Sequence, residues 1–464
     1  MYVKQLYTTC LAEAAYYIES EGEAVIIDPL RETEPYLQMA QERGAKIKYV
    51  FETHFHADFV SGHIDLAKKA NASIVYGPGA NPSYDVIEAV DNQVFEIGKV
   101  KIKVLHTPGH TLESSCYLLI DENDKDYAVF TGDTLFIGDV GRPDLAIKSD
   151  LTREDLAAML YDSLRNKLMP LADEVILYPG HGAGSSCGKN LSSETVCSIG
   201  NQKKSNYALQ NITKEQFIKE VTEGILPPPQ YFAKDAMKNK EGYESIDGII
   251  EKGMTALSIE EIKAKMEEGV LVLDTRHQQT FVKGFIPESL FIGIDGSFAM
   301  WVGEMIQDLN QPIVLVTEPG REEESIIRLA RVGYDNVVGY LDGSFQAWKE
   351  ADEIVWDGIS ITAEEFKALH DAGLDGNIMD VRKPAEYSAS RLEEADNLSL
   401  SEIYDSLDQV DASQKYYVHC RSGYRSMIAL SILKANGFDN IIEIDGGFNA
   451  IEKAGMETVS PIEI

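Results

Sequence analysis

Short apolar runs recur along roughly the first 180 residues, and several break into a loop bearing histidine or aspartate. Tyr49-Val50-Phe51 leads into Thr53-His54-Phe55-His56-Ala57-Asp58-Phe59, and Val104-Leu105 leads into Pro108-Gly109-His110. Ala128-Val129-Phe130 precedes Gly132-Asp133-Thr134, and Val175-Ile176-Leu177 precedes Pro179-Gly180-His181. Runs of this length bounded by glycine and proline predict strands. Loops fixed by rigid strands can bring ligands to one ion with little reorganisation. One His-x-His is weak evidence; four such endings in order predict a metal site.

The far end carries a different pattern. Tyr416-Tyr417-Val418-His419 predicts a strand running into Cys420-Arg421-Ser422-Gly423-Tyr424-Arg425, and Met427, Ile428, Leu430, Ile432 and Leu433 then predict a helix. Strand, tight loop and helix make an anion cradle, with amides and the helix dipole facing the loop. That setting favours the thiolate of Cys420, the nucleophilic form, and Arg421 and Arg425 add fixed positive charge.

The stretch between echoes the same unit. Val272-Leu273-Asp274-Thr275-Arg276 is echoed by Ile378-Met379-Asp380-Val381-Arg382, Gly333-Tyr334-Asp335-Asn336 by Gly437-Phe438-Asp439-Asn440, and Asp342-Gly343 by Asp445-Gly446, at offsets of 106, 104 and 103 residues. Such ordered echoes predict a tandem duplication of a domain of about 100 residues. The predicted helix starts match too: Ser258-Ile259-Glu260-Glu261 and Thr362-Ala363-Glu364-Glu365 both read as capping boxes. In the first copy the segment opposite Cys420 is Val316-Thr317-Glu318-Pro319-Gly320-Arg321, without cysteine and followed by Glu322 to Glu324. Proline removes an amide and the carboxylates repel anions, so this copy is expected to be structural, a spacer or a partner-docking surface.

With 464 residues the chain has room for two to four domains. A net charge of -34 argues against nucleic acid or an anionic membrane as partner. Attraction of anionic substrates then falls to local arginines, within a screening length of roughly 8 Å. No basic leader followed by an apolar core opens the chain, and no run approaches the ~20 apolar residues of a span. Five cysteines without paired spacing suit a reducing compartment. Together these lead to the expectation of a cytoplasmic protein.

Thr53-His-x-His-x-Asp resembles the signature of the metallo-β-lactamase superfamily, with Phe59 where that family usually has a second-site histidine. The resemblance implies a single ion held by His54, His110 and Asp133, two imidazoles and a carboxylate with open positions as in non-haem Fe(II) centres. Gly141-Arg142-Pro143-Asp144-Leu145 and Gly180-His181-Gly182-Ala183-Gly184-Ser185-Ser186-Cys187-Gly188 are similar to runs in the persulfide dioxygenase branch. That branch implies Fe(II), one per chain, with His56, Asp58 and His181 around the ligands and Arg142 and Asp144 near the pocket. It also puts Cys197 in reach of the iron pocket as a carrier of substrate persulfide, although a buried thiol is the commoner case; Cys10, Cys116 and Cys187 are expected to be packing residues.

The Cys420 loop resembles the active loop of rhodaneses, with four residues between cysteine and arginine. The Asp-x-Arg pairs are a further rhodanese mark and are expected to brace the fold.

The expected architecture is α/β: a metallo-β-lactamase αββα sandwich over 1–245, then two rhodanese-like domains with parallel sheets over 256–355 and 359–464. The implied activity is a persulfide dioxygenase that makes sulfite from a thiol persulfide and O2, coupled to sulfur transfer through a Cys420 persulfide, between sulfite and thiosulfate in either direction. Small-molecule sulfur substrates and a homo-oligomer follow from the resemblance. Two rivals stand beside it: a glyoxalase II-like zinc thioester hydrolase, against which Phe59 counts, and a sulfur carrier with a vestigial metal domain.

Overall fold

The structure, a computed structural model, describes residues 1–145 and 151–460. Residues 461–464, the end of the expected last domain, lie outside the described residues, as do 146–150. The chain divides into two compact units. The first is Met1–Gly248 with Leu329–Asp335; the second is Ile249–Arg328 and the chain from Asn336 on.

The first unit is built on two six-stranded sheets. One runs in the order Tyr2–Thr8, Glu13–Ser20, Glu23–Ile27, Lys46–Phe51, Ser73–Tyr76, Ile87–Glu88. The other runs Cys197–Ser198, Ile176–Pro179, Asp126–Gly132, Ser115–Ile120, Val100–His106, Val94–Ile97. The alternation of side chains along a strand sorts them into layers. Ala14, Tyr16 and Ile18 point into the core between the sheets, with Phe51, Val104, Tyr117 and Phe130. Ala15 and Tyr17 point the other way, into a second cluster with Tyr36 and Leu66. Those residues belong to the helices Glu34–Arg43 and His63–Ala70. The helices Arg153–Ser163 and Lys214–Thr222 cover the second sheet through Leu160 and Phe217. This is the expected αββα order, and it explains why Glu13–Ser20 is almost wholly buried: both its faces are covered.

The second unit holds two five-stranded parallel sheets. Their orders are Ala256–Leu257, Val337–Leu341, Ile313–Val316, Leu271–Asp274, Leu290–Phe291 and Ile359–Ile361, Ile441–Ile444, Tyr416–His419, Asn377–Asp380, Ala395–Asn397. Both visit their strands in the same sequence, the topological trace of the duplication. Both capping boxes form: Ser258 Oγ accepts from Glu261 N at 3.3 Å and Thr362 Oγ1 from Glu365 N at 3.2 Å. The two Asp-x-Arg pairs close identically, Arg276 Nη2 and Arg382 Nη2 each donating to their aspartate at 2.6 Å. Among the described residues no helix is long and apolar enough to cross a membrane.

Candidate active sites

Asp28, at the end of strand Glu23–Ile27, fixes the first ligand loop. Its Oδ1 accepts from Thr53 N at 2.7 Å and its Oδ2 from Thr53 Oγ1 at 2.8 Å. Thr53 has one hydroxyl proton, so the Oγ1 that lies 2.9 Å from His54 Nδ1 accepts there. His54 is therefore protonated at Nδ1 and carries its lone pair on Nε2. The same logic holds for His110, whose Nδ1 donates to Arg142 O at 2.9 Å, and for His181, whose Nδ1 donates to Ala12 O at 3.2 Å. Partners of this kind set the tautomer that a metal requires.

The ends of strands Lys46–Phe51, Val100–His106 and Asp126–Gly132 bring His54, His110 and Asp133 together, all buried, with ligand atoms within 4.8 Å of one another. Asp133 Oδ2 lies 3.9 Å from His54 Nε2 and 3.5 Å from His110 Nε2. Ligand bonds of about 2.1 Å span such gaps around one ion. His110 Nε2 and both Asp133 oxygens are buried with no hydrogen-bond partner, a costly state that a cation relieves. Burial, followed by His56, His110 and His181, holds His54 well below the usual histidine range, so it is present as a neutral ligand. The residues thus fit a divalent metal, and two imidazoles with a carboxylate suit iron or zinc. Gly180 is required here by close approach: a Cβ would lie 2.7 Å from Asp133 Oδ1.

His56 turns from this group, its Nε2 3.1 Å from Asp28 Oδ1 and 3.6 Å from Glu52 Oε2. Phe59 is fully buried beside it. Asn239, on helix Phe232–Glu241, donates to the carbonyls of both His56 and Phe59 at 2.8 Å. The charged stretch from Lys234 to Glu241 therefore wraps back and clamps the ligand loop. Asp58 Oδ2 lies 3.4 Å from His181 Nε2, and His56, Asp58 and His181 form a second metal-capable group. Burial alone would lower His181, but Asp58 and Asp133 outweigh it and raise its pKa.

Arg142 forms a bidentate pair with Asp144, at 2.7 and 2.8 Å, and also donates to Ser186 O and Leu226 O. With these side-chain bonds directed at loops, and its own carbonyl accepting from His110, it ties the loops around His110 together. His63 and His106 are occupied by Tyr84 Oη and Leu112 O, as befits packing residues.

The structure does not bring Cys197 into any metal-capable group among the described residues. It sits on the edge strand Cys197–Ser198 opposite Leu177, packs against the helix-covered cluster, and its Sγ accepts from Gln202 Nε2 at 3.4 Å. The thiol is half-buried there, on the helix-covered side of the sheet.

Cys187, expected to be a packing residue, joins Asp133 and His181 in a third group; burial, then Asp58 and Asp133, pushes its thiol well up. Glu13 escaped sequence reasoning altogether. It is buried with both oxygens unpartnered, and burial, then Asp28 and Asp58, raises it well above the carboxylate range. The available signal was a carboxylate opening a strand whose next five residues, Ala14 to Ile18, are alanine, tyrosine and isoleucine. Its neighbour Ala12 adopts φ 52, a strained value for a residue with a Cβ, and there its carbonyl receives both His181 Nδ1 and Gly182 N.

In the second unit, Cys420 follows strand Tyr416–His419 and faces the start of helix Tyr424–Ala435. Gly423, at φ 96, turns its N–H onto Cys420 Sγ at 3.2 Å, and Ser426 Oγ lies 3.6 Å from the sulfur. Arg425 is braced by Glu386 at 2.6 and 2.9 Å. Lys383, Arg421 and Arg425 line a cavity of about 470 Å³ over Cys420. Its opposite wall comes from the cysteine-less copy: His277, Asp295, Ser297, Met300 and Trp301. The duplicated sheets thus pack with one copy's loops across the other's cysteine. The first copy's own cradle is filled. Glu322 stands six positions past the strand end, as Arg425 does, and its Oε1 accepts from Thr317 Oγ1 at 3.2 Å and Gly320 N at 3.1 Å.

The metallo-beta-lactamase superfamily profile matches residues 8–181, and the rhodanese-like domain matches twice, over 258–351 and 362–454. A solved metallo-beta-lactamase from Staphylococcus aureus subsp. aureus COL is 31% identical, covers 74% of this chain and 98% of its own, and superposes with a TM-score of 0.64. The probable hydroxyacylglutathione hydrolase glo2 of Schizosaccharomyces pombe is 35% identical over 160 residues, 34% of this chain and 57% of its own length. The mitochondrial persulfide dioxygenase ETHE1 of Homo sapiens is 29% identical over 212 residues, 45% of this chain and 74% of its own. The chain spans little more than half the length of the first of these two relatives. The chain belongs to the metallo-β-lactamase superfamily. Within it, this protein is a fusion, a metallo-β-lactamase domain followed by two rhodanese-like domains, the second of which carries the cysteine.

Proposed function

We propose that the protein oxidises a small-molecule thiol persulfide with O2 to sulfite at one Fe(II) per chain, and transfers sulfane sulfur through Cys420, in disposal of reactive sulfur. The domains would span 1–245, 256–355 and 359–464. The observation that carries this reading is the pairing of a complete His54, His110, Asp133 set with Phe59 at the neighbouring position. When bound, Fe(II) supplies the activation of O2 that organic side chains lack. The chain holds the ligands neutral and oriented through Thr53, Arg142 O and the Asp133 loop, and excludes bulk water by burial. The overall change is persulfide, O2 and water to thiol and sulfite.

At Cys420 the sulfite lone pair attacks the outer sulfur of the cysteine persulfide. The S–S bond breaks, its electrons return to Cys420, and thiosulfate leaves. Gly423 N–H and Ser426 Oγ–H stabilise the thiolate formed, while Arg421 and Lys383 attract the anion. The reverse direction uses the same groups. Five free cysteines suit a cytoplasmic setting.

Zinc-dependent thioester hydrolysis is the second reading, favoured by the His56, Asp58, His181 group and by the likeness to hydroxyacylglutathione hydrolases. O2 uptake by anaerobically purified, iron-loaded protein given a persulfide, with metal content measured on the same sample, decides between them. Rapid uptake with one iron per chain supports the dioxygenase; no uptake and two zinc ions per chain move the assignment to the hydrolase.

A further inference from the structure

Behind the Cys420 loop lies a buried carboxyl that the reaction above does not use. Glu443, on strand Ile441–Ile444, is fully buried beneath Gly423, where an added Cβ would come within 3.4 Å of its Oε1. Its Oε2 accepts from Ser360 Oγ at 2.7 Å, and its Oε1 lies 2.8 Å from Ser426 Oγ. That same Ser426 oxygen is the one 3.6 Å from Cys420 Sγ. The cysteine-less copy has Tyr340 at the matching place, three residues before the paired glycines Gly343 and Gly446.

We propose that Glu443 is a positioning residue for Cys420, setting through Ser426 whether the sulfur has a second hydrogen-bond donor. This rests on the reading of Cys420 as the sulfur-transferring group. Ser426 owns a single hydroxyl proton. When Glu443 is protonated, its O–H donates to Ser426 Oγ, and the serine proton is free for Cys420 Sγ. When Glu443 is ionised, its Oε1 takes the serine proton and the sulfur keeps only Gly423 N–H. Gly423 O, 3.1 Å from Ser426 Oγ, is the remaining acceptor. A proton on Glu443 and a negative charge on Cys420 thus favour each other, which matters each time the persulfide bond breaks and charge returns to Cys420.

Burial, only partly offset by Ser360 and Ser426, pushes Glu443 up to about 7, so both states are populated near neutrality. Asp445, beside it, raises it further. Around Cys420 stand Arg425 with Glu386, then Arg421 and Lys383 at the cavity, with His277 and Asp295 opposite. Behind the strand, His419 lies 3.9 Å from Asp380, which Arg382 holds.

The test is the pH profile of Cys420 alkylation by iodoacetamide, read by mass spectrometry on the full-length protein. Wild type, Glu443→Gln, Ser426→Ala and the double variant are compared. Glutamine cannot ionise, so Glu443→Gln moves the midpoint down by roughly one pH unit. In the Ser426→Ala background the same substitution moves it by less than half as much. A Glu443→Gln profile superimposable on wild type overturns the proposal. An equal shift with and without Ser426 does so too, since that is bare charge repulsion. If Glu443→Gln does not fold, Ser426→Ala alone decides, and an unchanged profile is the overturning result. Loading Cys420 with sulfur from thiosulfate tests the underlying reading separately: no persulfide on Cys420 would sink sulfur transfer but leave the alkylation result standing.

Discussion

The phenyl ring of Phe59 lies against the imidazole of His56, with centroids 4.3 Å apart and planes inclined by 36°. An apolar ring thus stands against one member of the His56, Asp58 and His181 group. Phe59→His would offer an imidazole at that place. Metal analysis of this variant after zinc loading should give close to two ions per chain against one for wild type. An unchanged stoichiometry would show that the ring is not what limits the second site.

Asp133 offers its unpartnered oxygens to the metal group, while Cys420 belongs to the second unit. Asp133→Ala should abolish persulfide-dependent O2 uptake and leave sulfur transfer through Cys420 at the wild-type rate. Loss of both activities in a folded variant would break the two-site assignment.

Cys420→Ser keeps the loop but removes the proposed sulfur carrier. O2 consumption should persist while the product changes from thiosulfate to sulfite. Chromatography of the sulfur anions decides this, and enzymatic thiosulfate from the variant would remove Cys420 from the scheme.

In the first copy, Glu322 occupies its own cradle. A cysteine placed there by Thr317→Cys should therefore alkylate slowly. Adding Glu322→Arg withdraws the carboxylate and supplies a cation, so the double variant should react on the order of 10-fold faster at neutral pH. Equal rates would mean that the lost cysteine alone explains the silence of this copy.

Glu443 also links pH to stability. Its carboxyl is raised from 4.5 to about 7 in the fold, so the folded protein holds that proton more tightly than the unfolded chain. The stabilisation is complete below the unfolded carboxyl pKa and is lost as pH rises toward 7, a change on the order of 1–3 kcal/mol. Glu443→Gln should therefore lose less in denaturation midpoint than wild type between pH 5 and pH 8; identical losses would contradict the buried titration.

The grouping of His54, His110 and Asp133 was legible because chemistry and position coincided: each follows a strand end, where a local pattern suffices. The duplication was legible for the same reason, its echoes being in sequence order. Glu13 and Cys187 were not, because their place beside the site depends on strands and loops distant in the chain. The place of Cys197 was not legible either, because it depends on the pairing of its short edge strand with Leu177. The wall that Met300 and Trp301 give the Cys420 cavity depends on how two sheets pack, which periodicity does not encode.

Tyr424, inside the reactive loop, donates its hydroxyl to Gly293 O at 2.5 Å, and a Cβ at Gly296 would collide with its ring. After a gene duplicates, the copy that loses its activity is ordinarily free to drift. Here that freedom stops wherever the cysteine-less copy touches the cysteine-bearing one. A substitution at Gly296, far in sequence from any cysteine, would register as an enzymatic defect at Cys420, and the two halves are bound to a shared mutational fate.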